Sequence, residues 1–278
     1  MASKLKDLKN LLKQMGTVLI AFSGGVDSTF LIKVAKDTLD DNVLAVIAQS
    51  PTYPENEVRV AEAMCEALGV KRKLIQTDEF SDENFVSNPK ERCYFCKKEL
   101  FSKLLQIAKD NNIPYVLDGS NFGDMSDYRP GTQAKKELGV RSPLMELGFT
   151  KEDIRKYSKE LNLPTWDKPS YACLASRIPY GTRITQEILQ KVEQGEKFLK
   201  SLGFKQLRVR HHDSIVRIEL DKESIVKLLQ DGLMDKISKK FEDLGYLYVT
   251  IDLKGFQSGS MNLPILGAVE DQIETDPH

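Results

Sequence analysis

Residues 17–28 read TVLIAF followed by SGGVDS, and no other stretch restricts the fold as much. An apolar run without alternation, closed by a glycine pair, reads as a strand buried on both faces. Such a strand needs helices above and below it. The pattern recurs: further apolar runs lie at 43–48, 73–76 and 115–118, separated by helical patterns at 29–39, 54–68 and 97–111, with Pro54 at a favourable first-turn position. This alternation predicts an α/β fold with a doubly wound parallel sheet. Ligands of such sheets bind beyond the carboxyl ends of the strands.

The 278 residues exceed the usual domain length of roughly 100 to 200 residues, so a second unit is expected. We place the sheet domain at 1–165 and a connecting segment rich in Pro, Ser, Tyr and Gly at 166–183. A smaller C-terminal α+β domain follows at 184–270, and a frayed tail at 271–278. Within the first domain, 124–139 contains DYRPG and few core-forming residues and reads as a long loop. Thr150 and Asp153 form a capping pair for a helix at 150–161. In the second, the expected order is helix 185–202, strands 206–211 and 215–220, helix 225–244 and strand 246–253.

A net charge of −1 supplies no global basic field and argues against a nucleic-acid partner. The opening MASKLKDLKNLLKQMG lacks the apolar run of a signal peptide, and no stretch approaches the roughly 20 apolar residues of a membrane span. A cytoplasmic protein without a membrane partner is the expectation. Four cysteines are too few for a disulfide scaffold in a chain of this length, so their placement carries the information.

In SGGVDS, two glycines between a strand and a helix let the backbone approach an anion, towards which the helix amides point. Ser23 and Ser28 add hydroxyl donors. The competing reading is an ordinary turn with a serine cap. A Walker loop would require GxxxxGK[ST]; Asp27 stands where that loop needs a cation, so the loop belongs to a different nucleotide machine. Among the cysteines, Cys65 shares a helical face with Val58, Ala61 and Leu68 and reads as core. Cys93 and Cys96 form a C-x-x-C just before a helix, and Cys173 lies in PSYACLASRIPYG. Three uses stay open for these thiols: an iron–sulfur cluster, a persulfide relay, or a zinc site lacking its second C-x-x-C. Arg208, Arg210 and His212 alternate on a predicted strand and share one face, opposite Val209 and His211. Guanidinium groups so placed suit bidentate phosphate binding; a solvated basic face is the alternative.

SGGVDS resembles the PP-loop of the ATP pyrophosphatases, among them GMP synthetase, asparagine synthetase, NAD synthetase and the tRNA thiolases. LDGSNFGD at 117–124 is similar to their fourth-strand signature, which borders the nucleotide. The resemblance implies that Ser23, Gly24, Gly25, Ser28 and Gly119 hold ATP, that Asp27 helps hold Mg²⁺, and that ATP is cut between the α and β phosphates. In order, SGGVDS, LDGSN, DYRPG, SRIPYG, LRVR and VTIDLKGFQSGSMN look like the LarE family over nearly the whole chain. That family supplies sulfur to the nickel-pincer nucleotide, the lactate racemase cofactor, by adenylating a carboxylate of a pyridinium-3,5-biscarboxylic acid mononucleotide and converting it to a thiocarboxylate.

By the same resemblance Ser176, Arg177, Arg208 and Arg210 bind the substrate phosphate, and Glu196 is a second candidate for Mg²⁺. Arg129 is a candidate contact to nucleotide or substrate. One branch of the family has a single cysteine in the segment equivalent to 170–177 and sacrifices its sulfur. This chain departs from it: with Cys93 and Cys96 it resembles the branch in which three cysteines, here completed by Cys173, hold a [4Fe-4S] cluster. Cys173 and Asp27 are the candidate catalytic residues, and sulfide or a cysteine desulfurase system is the expected sulfur donor. The resemblance implies a homo-oligomer, a hexamer by that analogy. The rival readings are a tRNA thiolase, which should carry a basic RNA-binding surface, and a non-catalytic ATP or iron–sulfur sensor.

Overall fold

The computed structural model describes residues 2–125, 130–169, 172–228, 232–257 and 260–262. The chain divides into two compact units, Met1–Tyr171 and Ala172–His278. The first contains α1 (Ala2–Met15), β1 (Val18–Ala21), α2 (Val26–Leu39), β2 (Val43–Gln49), α3 (Glu55–Ala67), β3 (Lys71–Gln76), α4 (Glu83–Val86), α5 (Arg92–Asp110), β4 (Tyr115–Leu117), α6 (Pro130–Glu137), α7 (Pro143–Glu146) and α8 (Lys151–Glu160). Its four strands are parallel in the order β3-β2-β1-β4, the mixed α/β architecture read from the apolar runs.

Successive residues of β1 enter different cores, as a pleat buried on both sides requires. Val18 and Ile20 pack with Leu8, Phe30 and Ile154 from α1, α2 and α8, whereas Leu19 packs with Phe101 and Leu104 of α5. Helix α2 carries five β-branched residues (Val26, Thr29, Ile32, Val34 and Thr38), which each cost a few tenths of a kcal/mol of propensity, up to about 0.7 kcal/mol. Full burial of Phe30, Leu31 and Ile32, worth roughly 1.5–3 kcal/mol per side chain, outweighs that cost. Cys65 lies in the same core, and burial pushes its thiol pKa up to about 11, as a structural cysteine should behave.

Two expectations in this unit are corrected. The C-x-x-C does not precede its helix but lies inside the first turns of α5. Residues 124–139 are not one long loop: a short 3₁₀ turn, Phe122–Met125, and helix α6 occupy most of it. Helix α6 escapes the pattern because its buried residues are Gly131, Ala134 and Lys135. They leave no apolar stripe to read. Arg129 lies outside the described residues.

The second unit contains a 3₁₀ turn at Leu174–Arg177, α9 (Gln186–Ser201), β5 (Leu207–His212), β6 (Ile215–Leu220), α10 (Lys222–Lys227), α11 (Leu233–Asp243) and β7 (Tyr248–Ile251). Its sheet runs β5-β6-β7, with β5 antiparallel and β7 parallel to β6. The single helix expected at 225–244 is instead two, and Gly232, at φ 71°, is the N-cap of the second.

Candidate active site

Strand order places β2 on one side of β1 and β4 on the other, so the crevice of a doubly wound sheet opens beyond the ends of β1 and β4. Both glycine-bearing loops emerge there. Gly24 has φ 67°, a left-handed conformation that favours glycine, and a Cβ there would stand 3.2 Å from that of Ala61 on α3. Gly25 caps α2 in extended conformation. Beyond β4, a Cβ on Gly119 would lie 2.9 Å from the Ser28 amide nitrogen, so only glycine lets this turn pass so close to the start of α2. The loop is fastened internally: Ser28 Oγ donates to the Gly25 carbonyl at 3.2 Å and lies 3.1 Å from Ser23 Oγ.

Asp27, in the first turn of α2, is the ionisable member of this group. Its Oδ2 accepts from Lys151 Nζ at 2.5 Å, while Oδ1 is buried with no hydrogen-bond partner. Burial raises the carboxyl pKa above its ordinary value, against the pull of Lys151; Asp124 adds to the rise and Arg155 opposes it. A desolvated carboxylate with one unsatisfied oxygen, at the amide end of a helix, fits a hard divalent cation. The rings of Phe30, Phe149 and Tyr157, with centroids 5.7–6.0 Å apart, lock α2 to α8 and so place Lys151 against Asp27.

The sequence reading missed two lysines here. Lys151 occupies the first position of α8, after the capping box of Thr150 and Asp153. Lys168 donates to the Gly24 carbonyl at 3.1 Å and to Glu57 at 2.7 Å. Arg155 holds the Lys168 stretch from α8 by donating to the carbonyls of Trp166 and Lys168. A cation placed against the helix dipole was the available signal for Lys151; for Lys168 no pattern exists. Behind Gly119, Asp118 is buried with Lys135 and takes hydrogen bonds from Lys135, Ser142 and Ser120. Burial alone would raise its pKa; these partners prevail and hold it below the ordinary carboxylate value.

Cys93 and Cys96 are half-buried thiols, not joined in a disulfide, one helical turn apart. The Cys96 thiol donates to Glu79 Oε1 at 3.7 Å, and the neighbouring Tyr53 above all, then Cys96, Asp118 and Cys93, hold the Lys97 ammonium pKa above its ordinary value against its burial. Thiolates so spaced suit iron or zinc, but among the described residues no three His, Cys, Asp or Glu side chains converge as a metal site.

In the second unit the structure gathers most of the residues expected at the substrate end. Arg177 is fully buried and donates to Glu196 at 2.8 and 3.3 Å and to the carbonyls of Ala172 and Cys173 at 2.7 and 3.1 Å. Glu196 also accepts from the Val209 amide, which ties α9 to β5. Both of its oxygens are thus engaged. Arg210, also buried, forms a two-point pair with Glu219 at 3.0 and 2.8 Å and donates to the Ser176 carbonyl at 3.0 Å. The basic face expected on β5 is therefore largely sequestered rather than solvated. Arg208, on the same strand face, lies over the Phe256 ring at 4.9 Å. Half-buried Cys173 caps the 3₁₀ turn, and its carbonyl accepts from the Ser176 amide and hydroxyl. His211 is buried against Tyr246 and His212 stands near Arg210 and Arg217, so the two adjacent histidines do not converge.

Among known proteins, the family model described as NAD synthase matches residues 2–101. An uncharacterized protein of Synechocystis is 46% identical over 94% of this chain and 97% of its own length. Pyridinium-3,5-bisthiocarboxylic acid mononucleotide synthase of Lactiplantibacillus plantarum is 41% identical over 94% of this chain and 95% of its length. An uncharacterized protein of Methanocaldococcus jannaschii is 31% identical over 92% and 98%. With the glycine loops, Asp27 and the arginine–cysteine turn in place across this full-length similarity, the chain belongs to the LarE family of PP-loop ATP pyrophosphatases.

Proposed function

We propose that this protein uses ATP to adenylate a carboxylate of pyridinium-3,5-biscarboxylic acid mononucleotide and replaces the activated oxygen with sulfur, releasing AMP and pyrophosphate. The observation that carries this reading is Asp27 Oδ1, a buried acceptor without a partner at the start of α2, inside a chain similar throughout to a synthase of that thiocarboxylate. A carboxylate oxygen is a poor leaving group; bonded to AMP it becomes a good one. In this reading Ser23, Gly24, Gly25, Ser28 and Gly119 cradle the nucleotide phosphates. Asp27 holds Mg²⁺, which supplies charge neutralisation to the departing pyrophosphate.

Ser176 and Arg208 contact the substrate phosphate, while Arg177 and Arg210, buried in their pairs with Glu196 and Glu219, position the turn that carries Ser176. The paired guanidinium groups of Arg177 and Arg210 keep donors in fixed planes, so their contribution is orientation as much as charge. Cys93, Cys96 and Cys173 would hold a [4Fe-4S] cluster, which would supply the incoming sulfur, with sulfide or a cysteine desulfurase system in the cytoplasm as the donor. Thiolates are the natural ligands of such clusters. A homo-oligomer is the working form.

The test is to incubate anaerobically purified protein with Mg·ATP, sulfide and the pyridinium mononucleotide. AMP and pyrophosphate should form together with a product whose mass reflects exchange of oxygen for sulfur. Absence of α–β cleavage would overturn the reading. Iron and sulfide analysis of the same preparation tests the cluster independently, and an active, iron-free protein removes it.

A further inference from the structure

The register of the second sheet sets two like charges side by side. Arg210 of β5 lies directly opposite Arg217 of β6, and residues so paired project from one face, where like charges destabilise a sheet. Arg208, opposite Glu219, belongs to the same face. It is the diagonal neighbour of Arg217, and at the roughly 7–8 Å of such diagonals long side chains reach a common point. Positions that break a local rule without a packing gain tend to be functional.

The two opposed arginines are held very differently. Arg210 is buried in its two-point pair with Glu219, at 3.0 and 2.8 Å. Arg217 keeps 31% of its side chain accessible and reaches carboxylates only at 3.3 Å, on Glu219, and 3.5 Å, on Asp252, beyond the about 2.7–3.2 Å of an ordinary N–H···O bond. It also donates to Met261 Sδ at 3.6 Å, and its Nε is buried without a hydrogen-bond partner among the described residues. Glu219 Oε1 is meanwhile shared with Arg210 and the Ser260 hydroxyl. His212, next along this face of β5, also buries Nε2 without a partner among the described residues. Burial, then the charges of Arg217 and Arg210, keep its pKa below the ordinary value, against the opposing pull of Asp213 and Glu219. Three guanidinium groups thus share the face with Glu219 and Asp252, and Arg217 is the looser of the opposed pair.

We propose that Arg217 is a substrate-contacting residue whose guanidinium binds the phosphate of the mononucleotide together with Ser176 and Arg208, so that this face selects a phosphomonoester dianion. The identity of the mononucleotide rests on the adenylation reading above; the demand for an anion rests on the sheet face itself. A planar fork without close acceptors matches two oxygens of one phosphate, and a phosphomonoester carries about −1.5 to −2 charge at pH 7. An anion of that charge offsets the repulsion between Arg210 and Arg217. No bond is made or broken at Arg217, which contributes affinity and the choice of ligand.

Calorimetric Kd values for the pyridinium mononucleotide, its dephosphorylated riboside and Mg·α,β-methylene-ATP would be compared in wild type, Arg217→Met and Arg217→Lys, with inorganic phosphate titrated in competition with the mononucleotide. Arg217→Met should weaken the mononucleotide and inorganic phosphate about tenfold or more and leave the ATP analogue and the riboside unchanged. Arg217→Lys, which restores the charge without the fork, should recover part of the loss. Wild-type mononucleotide affinity in Arg217→Met would remove the arginine from the site. Loss of mononucleotide affinity with inorganic phosphate unaffected would overturn the proposal too, since the effect would then lie on sugar or ring, as would a wild type that binds riboside and mononucleotide equally. If Arg217→Met fails to fold, Arg217→Gln, which retains donors without charge, serves the same comparison. Mononucleotide binding that depends on Arg217 in a protein that never cleaves ATP would sink the adenylation reading alone, whereas normal cleavage with an affinity indifferent to Arg217 would sink this assignment alone.

Discussion

Burying a guanidinium is expensive, and the second unit does so twice. Arg177 and Arg210 are each almost wholly removed from solvent beside Glu196 and Glu219. Attraction within such a pair roughly offsets the loss of hydration, but removing one partner strands the other. Arg177→Met should therefore cost about 3–5 kcal/mol of stability, read as a lower denaturation midpoint in urea. The double variant Arg177→Met/Glu196→Leu should recover much of that loss, and a double variant as unstable as the single one would contradict the pairing. The sequence exposed both arginines by alternation on β5 and in the turn after Cys173, yet it gave no sign of Glu219 or of the depth of Glu196. Pairing across α9, β5 and β6 is a tertiary property, and a glutamate flanked by Gly195 and Lys197 looks like any solvated helical residue.

At the scale of elements, the parallel strands were legible because burial on both faces leaves an uninterrupted apolar run. Boundaries shifted where another force prevailed: α2 begins at Val26 rather than 29, directly after the glycine loop. Helix α6 and the break at Gly232 stayed hidden, the first for want of large buried residues and the second because Ile225, Leu229, Leu233 and Ile237 recur every four residues along the sequence across it. Helix α9 shows a conflict that can be measured. Gly195 lies in its interior, where alanine would contribute about 1 kcal/mol of propensity, but a Cβ there would meet Phe241 Cε1 at 2.5 Å. Phe241 is fully buried, and overpacking typically costs about 1–3 kcal/mol. Gly195→Ala should consequently lower the thermal midpoint, and a rise would show that α11 yields more readily than its packing suggests.

For the molecule as a whole, each unit has its own sheet, and the first has cores on both faces of it. Residues 1–171 fall within the usual size of an autonomous domain, so that segment produced alone should melt in one cooperative transition and retain affinity for Mg·ATP. A broad, non-cooperative melt would show that it depends on the remainder of the chain. The candidate nucleotide residues were legible because one loop supplies most of them, whereas the lysines that attend them come from over 120 positions away. The turn that displays Cys173 has a consequence of its own. Its carbonyl is pinned by the Ser176 amide, the Ser176 hydroxyl and Arg177, which leaves the sulfur little freedom beyond one side-chain torsion with three staggered settings. The thiol thus sweeps only a short arc, so in the role proposed for it the atom it bonds has to come to it.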